Sequence, residues 1–166
     1  MASYPILLSL EEGRERILQR TAPLGRESVS LEEADGRVLA EDVISTEDLP
    51  PFPRSPYDGY ALRAEDTREA SEKQGVTLRI VEEIPAGHAP QKVLTAGCAA
   101  KILTGAPIPF GADAVVKFED TTFDAQTVTV YTPCRSGENI VPAGEDLRRG
   151  ETVLRRGTLL RGAALG

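Results

Sequence analysis

Asp58 stands directly before Gly59, and this pairing is the first candidate for chemistry. An Asp in an Asp-Gly turn can present an unobstructed carboxylate to a divalent cation, because glycine tolerates φ > 0 and adds no side chain. The same carboxylate can instead cap its own turn. Thr104 precedes Gly105, where an apolar run, Ala99 to Leu103, ends. Its hydroxyl and the following amides can face an anionic ligand, or satisfy the local backbone. Asp146, after Gly144-Glu145, is a third acidic candidate, equally readable as a solvated turn.

Other chemistries are poorly supported. Ser55 has no Ser/His/Asp companions, since His88 is the only histidine, so it reads as a loop organiser and not a nucleophile. Cys98 and Cys134 lack CxxC spacing and read as free thiols, with neither a zinc site nor a disulfide framework. Gly105 and Gly111 lack the lysine and spacing of a P-loop. Arg54 and Arg63 could meet phosphate but read better as surface ion pairs.

The elements that must position these groups are short. The chain has 166 residues, 40% hydrophobic, with 5% aromatic, no Trp, twelve Pro and fifteen Gly. That composition favours strands and turns over long helices. Ser9-Leu10-Glu11-Glu12 is a capping box, with Leu10, Ile17 and Leu18 on one helical face. Ser30-Leu31-Glu32-Glu33 repeats the pattern and starts a short turn of helix that Gly36 can end, and Val38 to Ile44 reads as a strand. Leu49-Pro50-Pro51-Phe52-Pro53 forbids regular structure and marks a domain boundary. Beyond it, Tyr60 to Leu62, Val76 to Ile84, Ala99 to Leu103, Ala114 to Phe118 and Val128 to Tyr131 predict a small antiparallel, barrel-like β domain. Turn signals around Thr152-Val153-Leu154 predict paired short strands in the tail. The apolar ending, Leu159 to Gly166, reads as interrupted, as though a further domain follows.

The formal charge is −7 with no Lys/Arg cluster, which argues against nucleic-acid binding. Leu10 to Leu24 is too charged to span a bilayer and no secretory signal opens the chain, so a cytoplasmic address and no membrane partner are expected.

Three ordered stretches carry a family resemblance. The first runs Ala34-Asp35-Gly36-Arg37-Val38-Leu39-Ala40-Glu41-Asp42-Val43 and then Leu49-Pro50-Pro51-Phe52-Pro53-Arg54-Ser55-Pro56-Tyr57-Asp58-Gly59-Tyr60-Ala61-Leu62-Arg63. The second is Ile102-Leu103-Thr104-Gly105-Ala106-Pro107-Ile108-Pro109 with Gly111-Ala112-Asp113-Ala114-Val115-Val116. The third is Gly137-Glu138-Asn139-Ile140 with Gly144-Glu145-Asp146-Leu147 and Gly150-Glu151. Their order and spacing resemble the MoeA/gephyrin E family of molybdopterin molybdenumtransferases, over nearly the whole chain. Pro53-Arg54-Ser55-Pro56-Tyr57 departs from the family's frequent Asp-Asn-Ser-Ala-Met.

The resemblance implies an α+β, mostly β fold. In it residues 1–46 and 144–166 form an elongated interdomain and dimerisation layer, residues 47–143 an inserted β domain, and the family's C-terminal α/β and β domains are absent. It implies insertion of molybdate into adenylylated molybdopterin with release of AMP, assisted by Mg2+, in a homodimer whose cleft is shared between subunits. It further implies Asp58, Thr104 and Asp146 as catalytic, Thr104, Gly105 and Ser55 at the bound cofactor, and Asp58 as metal ligand. On that basis the chain alone is expected to be inactive. A non-catalytic oligomerisation or scaffold module is the alternative. A stand-alone small-ligand barrel is a weaker option, because no aromatic-lined pocket is visible in the sequence.

Overall fold

The computed structural model describes residues 8–166, which group into two compact units, 8–42 with 154–166, and 43–153. In the first unit, α1 (Leu10–Arg20) starts at the expected capping box: Ser9 Oγ accepts from the Glu12 amide at 3.1 Å, and Glu12 Oε2 accepts from the Ser9 amide at 2.9 Å. Glu11 and Glu12 in the first turn and Arg20 in the last complement the helix dipole. Within this unit the apolar face stays open, with Leu10 84% and Ile17 65% exposed.

The short helical turn expected after Ser30 forms, but without its capping box. Leu31–Glu33 is a single 3-10 turn, and the Ser30 hydroxyl makes no cap bond to the backbone; it lies 3.4 Å from the Glu33 carboxylate instead. The expected strand from Val38 to Ile44 is likewise broken. Arg37 to Leu39 pairs with 158–160 through Leu160 N to Arg37 O (2.8 Å) and Leu39 N to Thr158 O (2.9 Å), and only Val43–Ile44 (β1) is regular. Between them Asp42 accepts from the Arg156 amide at 2.6 Å, which draws the chain into a bend. A short helix, α2 (Gly162–Leu165), follows near the end.

The second unit is built on a six-stranded sheet. Its strands are β2 (Gly59–Leu62), β3 (Val76–Ile84), β4 (Cys98–Ile102), β5 (Ala114–Lys117), β6 (Thr121–Phe123) and β7 (Thr127–Val130), in the order β5-β2-β4-β3-β7-β6. The mostly β expectation holds, but the sheet is mixed and not antiparallel throughout: β3 and β4 run parallel. Their connection, residues 85–97, has the length that a parallel return requires, where a tight turn would have made a hairpin. β8 (Thr152–Leu154) pairs with β1, so the tail strand finds its partner far back in sequence and not within the tail.

Both faces of the central strands are covered. Tyr60, Leu62, Ala99, Ala114 and Val116 pack on one side with Leu78, Val128 and Val130. Ala61, Ala100, Ile102 and Val115 pack on the other with Ile84, Leu94 and Ala106. This explains why β2, β4 and β5 read as apolar runs, with Lys101 and Lys117 as their charged residues, and not as alternation. Among the described residues no helix is long and apolar enough to cross a membrane.

Candidate functional site

The site lies where β2 begins and β4 ends. Antiparallel pairing sets Gly59 opposite Ile102 on one side and opposite Lys117 on the other. Gly59 is required here by close approach and not by the positive φ that its Asp-Gly context suggests. A Cβ at this position would stand 2.0 Å from the Val116 carbonyl oxygen. With β5 this close, Asp58 is fixed at the strand entrance, its carbonyl accepting from the Phe118 amide at 3.2 Å.

Thr104 follows β4 and meets Asp58 directly. Its amide and its hydroxyl both donate to Asp58 Oδ1, each at 2.7 Å. Two donors on one oxygen hold the Asp58 carboxyl below the usual carboxylate range, the backbone amide first and the hydroxyl second. Among the described residues Oδ2 has no hydrogen-bond partner, and Asp58 is exposed. The result is an ionised carboxylate with one oxygen locked and one turned to solvent.

The Thr104 turn is itself held from below by an extended strip, residues 53–55. Ser55 N donates to Ala106 O at 3.0 Å, Gly105 N to Ser55 O at 2.8 Å, and Ile108 N to Pro53 O at 2.9 Å. On its other edge Arg54 exchanges both backbone bonds with Val141, at 2.9 and 3.0 Å. Gly105 takes φ +83°, which closes the turn at little steric cost. The Ser55 side chain is buried, its hydroxyl donating to Tyr57 O at 2.5 Å and accepting from Tyr57 N at 3.2 Å. That hydroxyl organises the loop.

The structure therefore brings together Asp58 and Thr104, with Gly105 and Ser55 as their support. The expectation that the amides after Thr104 face an anion is corrected by this bonding: the Gly105 and Ala106 amides are engaged by Ser55 O and Leu103 O. Asp146 lies on the return segment, exposed, its amide donating to Leu49 O at 2.9 Å. It shares no hydrogen bond with Asp58 or Thr104. Arg54 and Arg63 form no salt bridge among the described residues, contrary to the surface-pair reading.

Sequence reasoning missed Lys117 and Tyr57. The Lys117 ammonium sits 4.2 Å from the centroid of the Tyr57 ring, at the strand end that adjoins Asp58. The signal was pairing: only the β2/β5 register sets Lys117 opposite Gly59. The arrangement offers a carboxylate held by Thr104, with a cation on the strand paired beside it. Among the described residues there is no group of three or more His, Cys, Asp or Glu able to hold a metal by itself. The unpartnered Oδ2 of Asp58 is one hard oxygen donor of the kind magnesium takes, such ions being commonly bound through one or two carboxylates with substrate phosphates and waters completing the shell.

Residues 8–166 match the family model described as the MoeA N-terminal region (domain I and II). The chain is 38% identical over 150 residues to a molybdopterin molybdenumtransferase of Staphylococcus epidermidis, covering 90% of this chain and 36% of that protein. A Staphylococcus aureus protein of the same name is 36% identical over 158 residues, covering 95% and 38%. A crystal structure of the molybdopterin biosynthesis MoeA protein from Pyrococcus horikoshii superposes with a TM-score of 0.85 at 37% identity, covering 96% of this chain and 41% of that one. A second, from strain OT3, gives 0.79 at 47% identity over 84% and 37%. The chain thus spans little more than a third of the relatives it matches, and it belongs to the family of the MoeA N-terminal region, domains I and II.

Proposed function

We propose that this chain is the N-terminal portion of a molybdopterin molybdenumtransferase, which inserts molybdate into adenylylated molybdopterin and releases AMP. The observation that carries the reading is the Asp58–Thr104 pair, an ionised carboxylate with one free oxygen on a rigid rim, in a chain of this family. Cleaving a phosphoanhydride builds charge on phosphate oxygens, and a divalent cation offsets it. Asp58 would hold magnesium through its free oxygen. Thr104 fixes the Asp58 carboxylate and, through two hydrogen bonds, favours its ionised form to lower pH than is usual for a carboxylate. Lys117, held over Tyr57, supplies positive charge for a phosphate oxygen at the same rim. Asp146 is a further acidic group for the same reaction, brought to it by a partner or by bound substrate.

One carboxylate is too few to run this chemistry alone, so the rim works as one wall of a cleft completed in a cytoplasmic homodimer by the family's remaining domains. Supplying the chain to a relative that lacks this region tests the sharing. Restored molybdenum insertion supports it. Tight binding of molybdopterin or AMP at the Asp58–Thr104 rim of the isolated chain, followed through the Thr104 amide resonance, contradicts it.

A further inference from the structure

A second site stands at the opposite end of β4. Cys98 opens the strand that Thr104 follows, and an open groove of about 580 Å³ lies there, lined by Arg79, Ile80, Val81, Lys92, Val93, Thr95 and Cys98. We propose that this groove binds a small phosphate monoester, its phosphate between Arg79 and Lys92 and its organic arm along Ile80 and Val93.

Charge is the first argument. Neither Arg79 nor Lys92 has a carboxylate within salt-bridge distance among the described residues, in a chain whose net charge is −7. Glu82 follows Val81 on β3, just outside the groove lining. Both its oxygens are engaged, Oε1 by the Gln91 amide at 2.8 Å and Oε2 by the Lys92 amide at 3.0 Å. Arg79 has five N–H donors, and among the described residues its side chain makes one long contact, to Cys98 Sγ at 3.8 Å. A guanidinium with free donors and an ammonium lining the same groove suit a phosphate, which accepts from both.

The groove is also built in advance. The β3/β4 ladder slips between Ile80 and Glu82, and the Val81 carbonyl at that slip accepts from Lys92 Nζ. Bulges of this kind re-aim side chains and backbone groups beside sites. The strap that carries Lys92 is pinned at both ends, by Glu82 on Gln91 and Lys92, and by Asp66 Oδ2 on the Gly97 amide at 2.9 Å. Thr95 and Arg79 both donate to Cys98 Sγ, at 3.7 and 3.8 Å, which fixes the floor. The volume exceeds what a bare ion fills, and although the lining is mainly polar, Ile80, Val81 and Val93 add apolar surface to it. An ester therefore gains contact that inorganic phosphate does not.

The test titrates glycerol 3-phosphate and inorganic phosphate into the isotope-labelled chain at fixed ionic strength. The amide resonances of Val81, Lys92, Thr95 and Cys98 are followed. Saturable shifts confined to these residues, with the ester binding at least threefold tighter, are expected. Arg79→Gln and Lys92→Met should each weaken binding at least fivefold, while Arg135→Gln, on an exposed turn, should not. Both substituted side chains are exposed, and an unchanged thermal midpoint checks each variant's fold. If Arg79→Gln unfolds, Arg79→Lys and Lys92→Met carry the comparison. Non-saturating shifts, an ester no tighter than phosphate, or undiminished binding by Lys92→Met would overturn the proposal.

Discussion

Gly59→Ala is the most demanding perturbation of the framework that holds Asp58. The added Cβ would meet the Val116 carbonyl oxygen at 2.0 Å, the Val116 carbonyl carbon at 2.9 Å and the Lys117 Cα at 3.1 Å. All three are backbone atoms, so no side-chain rotation relieves the clash. Ordinary contact begins near 3.4 Å, which requires β5 to move about 1.4 Å away from β2. β2 cannot retreat in the other direction, because β4 is paired along its opposite edge. A shift of that size stretches the β2/β5 ladder bonds beyond hydrogen-bonding range. Overpacking of this kind costs about 1–3 kcal/mol, and losing two ladder bonds adds about 1 kcal/mol each. The sum, roughly 3–5 kcal/mol, corresponds to a fall of about 10–20 °C in melting temperature for a unit of this size. Gly105→Ala is the internal comparison: nothing lies within 4 Å of its Cβ, but its φ is +83°. Its cost is that of left-handed strain, about 1–2 kcal/mol. Urea unfolding with an unchanged slope measures both. If Gly59→Ala loses under 1 kcal/mol, or less than Gly105→Ala, the close-approach argument is refuted.

Thr104→Val removes one of the two donors to Asp58 but leaves the amide, the larger cause of the depressed carboxyl. The Asp58 titration, followed by carboxyl carbon resonance, should therefore rise only part of the way to the ordinary value of about 3.9. A return all the way to that value would show that the amide bond is not formed. Because the folded-state value lies below the unfolded one, Asp58 stabilises the fold above about pH 3.9. That contribution disappears as pH falls through the lower folded value, so Thr104→Val should show a shallower acid loss. Thr67→Val should cost about 1–3 kcal/mol in chemical denaturation, since the buried hydroxyl donates to Ala64 O and accepts from the Cys134 amide, each at 2.8 Å. Ser9→Ala should lower helical circular dichroism and cost about 1 kcal/mol in α1, and an unchanged spectrum would remove the capping box from the account.

The strands of the large sheet were readable because their cores are short apolar runs between glycines and prolines. Val76 to Ile84 is matched at both ends, and the runs at Tyr60, Ala99, Ala114 and Val128 differ from β2, β4, β5 and β7 by a residue or so at either end. Thr121–Phe123 escaped notice, since Thr-Thr-Phe has no apolar repeat and becomes a strand only by pairing with β7. The parallel β3/β4 pair was equally hidden. Periodicity reports burial, not direction, and only the connection decides how a strand returns. Ser30 shows the limit of a local motif: the capping-box pattern is present, but a single 3-10 turn offers no extended helix to cap. At the site, Asp58 and Thr104 were visible as residue types. Their shared hydrogen bonds were not, because these depend on a register joining positions 46 apart in sequence. Lys117 was hidden for the same reason.

In the proposed reaction Asp58 is the carboxylate that holds the metal for molybdenum insertion. The most direct measurement is the magnesium dependence of cofactor formation by Asp58→Asn, in a protein where this chain is joined to the family's remaining domains. Asparagine keeps the side-chain size and can still accept from Thr104, so the fold should be retained while the charge is lost. The expected result is a native melting temperature with at least a roughly tenfold loss in rate or in apparent magnesium affinity. A folded Asp58→Asn protein that forms cofactor at the normal rate and magnesium requirement would contradict the account.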